Sequence, residues 1–329
     1  MPGIVGMGTT FNLPNFVGDL FTISPADTPL LSAIGGLTGG RPAVDKTFEW
    51  EFYDLRDADP DRQRVEGADA PIATERVRAN DSNVVEIHQE AVELSYTKLA
   101  VAARGGYSTT SRGTSAVGDE MAWQTDIALK QIARDVELGF IVGQYAKPAD
   151  NSAPRKTRGL LEAIVTNVID LNGAVPTIDD INDLFQLAYD NGGILEGETR
   201  TLIVGSGGKR LLTKLFIRDV GQGFYQNSRS VGGVNLATIE TDFGTASIMV
   251  NRYMPADTMV AASLEELAPR ILQIPGKGFL FAEPLAKTGA AERSQIYGEI
   301  GLEYGNERKH AKLVDIATGF DTPGVGSGS

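Results

Sequence analysis

The strongest periodic signal in the chain runs from Thr114 to Tyr145. Met121, Thr125, Leu129, Ile132, Val136 and Phe140 recur at steps of three and four residues, which places them on one face of an α-helix. The opposite face carries Glu120, Lys130, Arg134 and Glu137. Thr114 or Ser115 can cap the start. Asp119 and Glu120 then fall where the helix dipole favours negative charge, and Lys147-Pro148 ends the run at about Tyr145. At a rise of about 1.5 Å per residue such a helix is roughly 40 Å long, enough to form the spine of a domain.

Upstream the period changes to two. Phe48, Trp50 and Phe52 alternate with Thr47, Glu49 and Glu51, and a matching run follows at Val85, Ile87 and Ala91 to Tyr96. Between these runs lie about thirty residues, Tyr53 to Val84, dense in Asp, Glu and Arg, and a connection of that length is normally functional or disordered. A solvated surface loop explains the charges simply. The sharper expectation is a long two-stranded arm that projects and binds a neighbour, since an isolated hairpin is marginal in water. Met1 to Gly40 is broken by Pro2, Pro14, Pro25 and Pro29 and reads as an extended arm with one short helix near Thr28 to Ile34. The apolar side chains of that helix point to another subunit as their partner.

Downstream, Arg155 to Ile164 makes a basic turn leading into a short apolar segment. Thr177, with Asp180 in capping-box position, starts a helix through Ile178, Ile181, Leu184, Phe185 and Ala188 that stops at Asn191-Gly192-Gly193. Thr201 to Val204 reads as a buried strand, Lys209 to Arg218 as a third helix, and Gly221 to Gly233 as a glycine-rich loop. Short strands follow at Leu236–Glu240, Ala246–Asn251, Thr258–Ala262, Arg270–Ile274, Gly278–Ala282, Gln295–Tyr304 and Lys312–Ile316. Hairpin-like turns stand at Asp242-Phe243-Gly244 and Tyr304-Gly305-Asn306.

Composition narrows the function. A formal charge of −13 over 329 residues argues against tight wrapping of nucleic acid, and the absence of cysteine excludes disulfides and thiolate chemistry. With His88 and His310 the only histidines, a histidine metal cluster is not expected. No apolar run is long enough to span a membrane and no signal peptide is legible, so a cytoplasmic protein is expected.

The candidate chemistry is weak. Gly205-Ser206-Gly207-Gly208-Lys209-Arg210 follows a strand, but Ile203 stands where a phosphate-binding loop needs glycine and Arg210 where it needs Ser or Thr. Val204 likewise breaks a nucleophile elbow around Ser206. His88, Glu86 and Glu90 alternate onto one strand face, read here as solvated, and His310 beside Arg308 and Lys309 reads as surface. No nucleophile, base and orienting group converge, so a non-enzyme without cofactor or metal is expected.

The order of arm, charged two-stranded loop, spine helix, α/β region and closing β region resembles the Hong Kong 97-type capsid fold of tailed double-stranded DNA bacteriophages, an α+β fold. Four phrases look like a phage major head protein family often found in actinobacterial viruses: residues 11–18 (FNLPNFVG), 24–31 (SPADTPLL), 157–163 (TRGLLEA) and 297–307 (YGEIGLEYGNE). Residues 274–278 (IPGKG) add a fifth. The resemblance implies an N-arm at 1–40, an E-loop at 41–105, a P-domain at 106–175 with the spine at about 115–145, and an A-domain at 176–267. P-domain return strands at 268–316 and a flexible tail at 317–329 complete it.

It further implies a structural protein whose hexamers and pentamers tile an icosahedral head around double-stranded DNA, without sequence-specific binding. The expected setting is assembly in a bacterial cytoplasm with portal and scaffolding proteins, and with a decoration protein as an optional partner. The shell contacts are expected to use Arg56, Arg62, Arg64, Arg76 and Arg78, and the spine to bend at Gly139 and Gly143. In the phage that gives the fold its name, an E-loop lysine forms an isopeptide bond with a neighbour's asparagine. Here no lysine stands between Lys46 and Lys98, so that cross-link is expected to be absent. Two other readings remain: an encapsulin-type compartment, and a nucleotide-binding enzyme using the Gly205 to Lys209 turn.

Overall fold

The computed structural model describes residues 27–53, 55, 58–72, 75–104, 120–193, 200–218, 229–230, 233–234, 238–287 and 289–317. The expected arm up to Ala26, Arg56, the Thr114/Ser115 cap, most of the Gly221–Gly233 loop and the tail from Thr318 lie outside those residues. The helices are α1 (Pro29–Ala33), α2 (Tyr96–Arg104), α3 (Glu120–Val142), α4 (Leu160–Ala163), α5 (Ile178–Asp190) and α6 (Ser206–Arg218). The first strands are β1 (Arg41–Ala43), β2 (Thr47–Tyr53), β3 (Arg78–Val84), β4 (Glu86–Ser95), β5 (Val168–Asp170), β6 (Arg200–Val204), β7 (Arg229–Ser230) and β8 (Gly233–Val234). They continue with β9 (Thr238–Thr241), β10 (Gly244–Val250), β11 (Met259–Ser263), β12 (Ala268–Leu272), β13 (Leu280–Pro284), β14 (Ala291–Glu303) and β15 (Ala311–Val314).

Strands β1, β12, β14 and β13 form one sheet in that order, with β4 along the other side of β14. A second sheet runs β5-β15-β11-β6-β10-β9. The spine helix α3 packs Ile132, Val136 and Phe140 into a core that takes Ile296, Ile300 and Leu302 from the first sheet and Ile203, Val260 and Ala262 from the second. Residues of both sheets thus meet on the spine, while Leu202, Val204, Met259 and Leu313 of the second sheet form a separate core with Ile181, Leu184 and Phe185 of α5.

The projecting hairpin exists, but its partner strand differs from the expectation. Strand β2 pairs antiparallel with β3, from Thr47 opposite Val84 to Tyr53 opposite Arg78. The alternating run assigned as its partner is β4, which pairs with β14. Alternation reports one covered face and not which strand lies alongside, while Arg78–Val84 is rich in Asn, Asp and Ser and gives little strand signal. At the other end, β15 joins the second sheet between β11 and β5.

The spine ends at Val142, three residues short of the expected stop. Gly143 N–H still reaches Gly139 O at 2.9 Å, but Gly159 N–H then takes Gly143 O at 2.8 Å as residues 157–159 cross the helix end. A side chain at Gly159 would meet Gly143 N at 2.5 Å and Ile141 O at 3.0 Å, so the crossing requires glycine.

Glu137 is the clearest correction on the spine. Assigned to the solvent face, it is fully buried. Its carboxylate accepts Leu30 N–H at 2.9 Å, Leu31 N–H at 2.6 Å and a bond from the Asn251 amide. Thr28 makes no side-chain cap on α1, so Glu137 serves in its place, satisfying free amides of the first turn. Leu30 and Leu31 are themselves buried against the spine, so their partner is this chain's own core and not another subunit. Burial pushes the Glu137 carboxyl above the usual carboxylate range, opposed by the Leu31, Leu30 and Asn251 bonds, with the Asp27 charge adding to the rise.

In the second sheet, Thr177 and Asp180 form the expected reciprocal capping box on α5, and β9 and β10 form the expected hairpin across Gly244. His310, expected at the surface, is fully buried. Its Nε2 lies 3.0 Å from Tyr304 O, and its Nδ1 accepts Ser263 N–H at 3.3 Å. It seals the crossover where the chain leaves β14 for β15, a position that local sequence cannot reveal.

Two outcomes follow. Because the folded chain holds the Glu137 proton more tightly than the unfolded chain, the group's stabilising contribution is full below the unfolded pKa and declines as pH rises through the raised folded value. The stability of wild type relative to Glu137→Gln, from denaturant melts, should therefore shrink between about pH 5 and about pH 8; a gap that widens over that range contradicts the assignment. Secondly, Gly143→Ala should destabilise more than Gly139→Ala. The new Cβ at 143 meets backbone, including Thr157 O at 2.7 Å, whereas at 139 it meets only the movable Glu86 Oε1, also at 2.7 Å. Equal melting temperatures for the two variants would refute this.

Candidate functional site

The hairpin is fixed at its root and unsupported at its far end. Phe48 on β2 is buried with Ala43 and Val85, and stacks on Trp50 at 5.9 Å between ring centres. Trp50 meets Tyr304 edge-on at 4.8 Å, and its indole N–H donates to Gly305 O at 2.8 Å. A side chain at Gly301 would strike Val84 O at 2.6 Å and the Phe48 ring at 2.8 Å, so β14 lets the hairpin settle directly on its backbone.

Polar groups lock the same junction. Fully buried Asn83 on β3 donates to Leu302 O at 2.7 Å and Arg158 O at 3.1 Å, and its side-chain oxygen accepts Arg158 N–H and Val84 N–H, each at 2.8 Å. Every donor and acceptor of that amide is used. The Tyr304 hydroxyl donates to Asp81 at 2.7 Å and accepts from Arg158 at 2.6 Å, while the Arg158 guanidinium lies over the Tyr145 ring. Burial first, then the Asp81 carboxylate, raises the Tyr304 hydroxyl well above the usual phenol range, so it remains a proton donor. Nearby, Glu303 is almost wholly shielded and is neutralised by Arg270 from β12 and Arg41 from β1. Tyr297, pushed up to about 12 by burial and by Glu299, donates to Glu299, which also pairs with Arg155 at 2.8 Å.

Glu86, His88 and Glu90 do share one face of β4, but it is the face turned towards the spine and only partly exposed. Glu86 lies 3.0 Å from His88 Nε2 and accepts Thr157 N–H at 3.1 Å, which makes it a brace for the crossing segment. The Gly205 turn is closed: α6 already begins at Ser206, Lys209 N–H bonds to Gly205 O at 2.9 Å, and Met254 O lies 3.0 Å from where a Gly205 side chain would stand. Among the described residues no His, Asp and Glu group is arranged to hold a metal, and no helix is long and apolar enough to cross a membrane.

Beyond the root, residues 58–72 and 75–81 are exposed but for Asp81. Ile72 is 94% exposed, Val77 82%, Val65 80% and Leu55 73%, more apolar surface than a charged loop needs. Of the arginines expected to make contacts, Arg78 pairs with Glu51 across the hairpin at 2.6 Å. Arg62, Arg64 and Arg76 stand exposed and make no ion pair among the described residues. Gly139 and Gly143 sit far from these arginines in function: they let Glu86 and residues 157–159 approach the end of the spine. The sequence placed Trp50 in an alternating strand and Tyr304 at a turn but gave neither a role at this junction, and it did not single out Asn83 or Arg158; Arg158 and Tyr304 lie within the 157–163 and 297–307 phrases.

Comparison with known proteins gives a consistent result. A family model described as SU10 major capsid protein matches residues 3–317. The major capsid protein of Escherichia phage Phieco32 is 24% identical over 342 residues, covering 89% of this chain and 91% of that protein. The capsid asymmetric unit of cyanophage A-1(L) matches with a TM-score of 0.64 at 11% identity, covering 94% of this chain and 98% of that one. The holo-SrpI encapsulin complex from Synechococcus elongatus PCC 7942 matches with a TM-score of 0.54 at 10% identity, covering 92% and 91% respectively. At such identities the structures speak for the fold, which is the Hong Kong 97 type.

The root makes its own prediction. Asn83→Ala strands several buried backbone groups and should cost about 3 kcal/mol, whereas Tyr304→Phe removes one hydroxyl and should cost about 1 kcal/mol. Thermal melts should rank them in that order, with faster proteolysis between residues 53 and 78 in the first variant. The reverse ranking would put the weight of the root on Tyr304 instead.

Proposed function

Because this chain belongs to the SU10 major capsid protein family, it is a phage major capsid protein, and we propose that its hairpin closes the shell through contacts with neighbouring copies. The observation that carries this is the contrast along the hairpin: a root with every polar group satisfied, and a far segment with bare apolar side chains and unpaired arginines. A rigid lever ending in unsatisfied surface is suited to reach a partner. Arg62, Arg64, Arg76 and Arg78, and by sequence Arg56, supply the charged part of that contact, and Val65, Ile72 and Val77 the apolar part.

On this reading the copies form hexamers and pentamers of an icosahedral head, assembled in the host cytoplasm with scaffolding and portal proteins around double-stranded DNA. The acidic chain would leave that DNA loosely held. The division into N-arm, E-loop, P-domain and A-domain follows the same proposal, as does bending of the spine at Gly139 and Gly143 during maturation. A structural protein needs no catalytic centre, in keeping with the family. The encapsulin reading shares the fold, but the cyanophage capsid is the better structural match and the family is viral.

Three measurements test this. The full chain should assemble rather than sediment as a monomer of 35.1 kDa. Assembly should weaken between about 50 mM and about 500 mM salt, and Arg62→Glu with Arg64→Glu should impair it while leaving the melting temperature unchanged; undisturbed assembly of that double variant refutes the arginine contact. With no lysine between Lys46 and Lys98, boiled particles should run as one monomer band, because guanidinium stays protonated and is a poor nucleophile. A ladder of bands would reveal a cross-link through another lysine.

A further inference from the structure

The side of the second sheet that turns away from the spine carries two helices of opposite charge. Residues alternate along β6 and β11: Ile203, Val260 and Ala262 face the spine, whereas Leu202, Val204, Met259 and Ala261 pack beneath α5 and Leu212 of α6. The outer faces of both helices are therefore left to solvent. On α5, Asp179, Asp183, Gln186 and Asp190 follow one another at steps of four, three and four residues, and all are exposed. On α6, Arg210 and Lys214 stand four residues apart and exposed, with Lys209 half-buried next to Arg210. Helix α5 contains no Lys or Arg, and α6 contains no Asp or Glu.

This segregation does nothing for the helices that bear it. Like charges four residues apart repel one another within a helix, which sets Asp179 against Asp183 and Arg210 against Lys214. Asp190 ends α5 and Lys209 lies in the first turn of α6, each at the end where the helix dipole disfavours its sign. Asp179, Asp183 and Asp190 make no ion pair among the described residues, so α6 of the same chain does not answer them. An acidic row by itself is an ordinary solvated face. A basic row of matching spacing on the same chain gives it a complement that every further copy presents. The net charge of −13 does not oppose this, because charges beyond the Debye length of about 8 Å at physiological salt are screened and the local pairs decide.

We propose that α5 of one copy docks its acidic row against the basic row on α6 of the next, a head-to-tail contact between two different faces of the same chain. Such a contact leaves an acidic row open at one end of a pair and a basic row at the other, so it passes on to further copies and closes only as a ring. It rests on self-assembly as proposed above and uses neither the hairpin nor its arginines.

The test exchanges sign between copies. Two full-length variants, Asp183→Lys with Asp190→Lys and Arg210→Glu with Lys214→Glu, are followed by sedimentation across concentration, alone and mixed in equal amounts. Alone, each sets like charge against like and should need about tenfold more protein than wild type to assemble. The mixture should return to within about threefold of wild type, because the reversed α5 of one variant meets the reversed α6 of the other. Asp183→Asn with Asp190→Asn, and Arg210→Gln with Lys214→Gln, should melt as wild type does and still assemble less readily. Either reversal assembling at the wild-type concentration overturns the proposal. So does a mixture no better than its components, which would confine the role of the rows to a single chain. If a reversal melts early, the decision passes to the neutral variants, whose assembly at the wild-type concentration overturns the proposal equally. Wild type that stays monomeric overturns self-assembly itself, and is recognised before any variant is compared.

Discussion

A carboxylate that has given up its water to three uncharged N–H donors stands at the centre of this fold. Glu137 joins the spine to the backbone of α1 and to Asn251 at the end of β10, so the entering chain, the long helix and the second sheet meet at one side chain. Among the described residues no cation pairs with it; the geometry of the donors does that work, and they are held only if all three elements are in place. The apolar stripe of α3 contributes burial along its length, but apolar contact alone would tolerate a slight slide or rotation. The carboxylate cannot, and so it sets the register of α1 against the spine.

The same division between greasy attraction and polar register recurs at the hairpin root. Phe48 and Trp50 attract β2 to the sheet, while Asn83 decides where β3 must stop. It recurs at the spine's end, where Gly143 and Gly159 allow contact and Glu86 fixes the crossing segment. In each case a shift of one position would leave a shielded polar residue with unpaired neighbours, which is a steeper penalty than a small change in packing.

That division explains what could be read from the sequence. Apolar periodicity located α3, α5 and every strand of the second sheet except β5, and Thr177 with Asp180 marked a helix start that depends on local chain alone. The register-setting residues were illegible because their partners lie more than a hundred positions away, as with Glu137 and Leu30, or Asn83 and Leu302. Glu137 sits beside Val136 at the margin of the stripe, where a helical wheel cannot distinguish burial from exposure. His310 misled because its neighbour Arg308 is exposed and Lys309 is only partly covered while it turns inwards. The arginines of the hairpin were legible as charge, but the bare valines and isoleucine between them were not expected to be as exposed as they are.

The placement of β14 has a mechanical consequence. Both ends of the hairpin run into the first sheet: β1 leads into β2 and lies along β12, while β3 continues almost without a break into β4. Strand β4 then follows β14 through an unbroken antiparallel ladder from Glu86 opposite Ile300 to Ser95 opposite Ala291. A pull on the hairpin along the direction of β4 would load that ladder in shear. The hydrogen bonds would share the tension together instead of parting one after another as a zipper does. Under internal pressure the weakest link should then lie at the contacts between copies, and a subunit would be torn from its neighbours before its own sheet gave way.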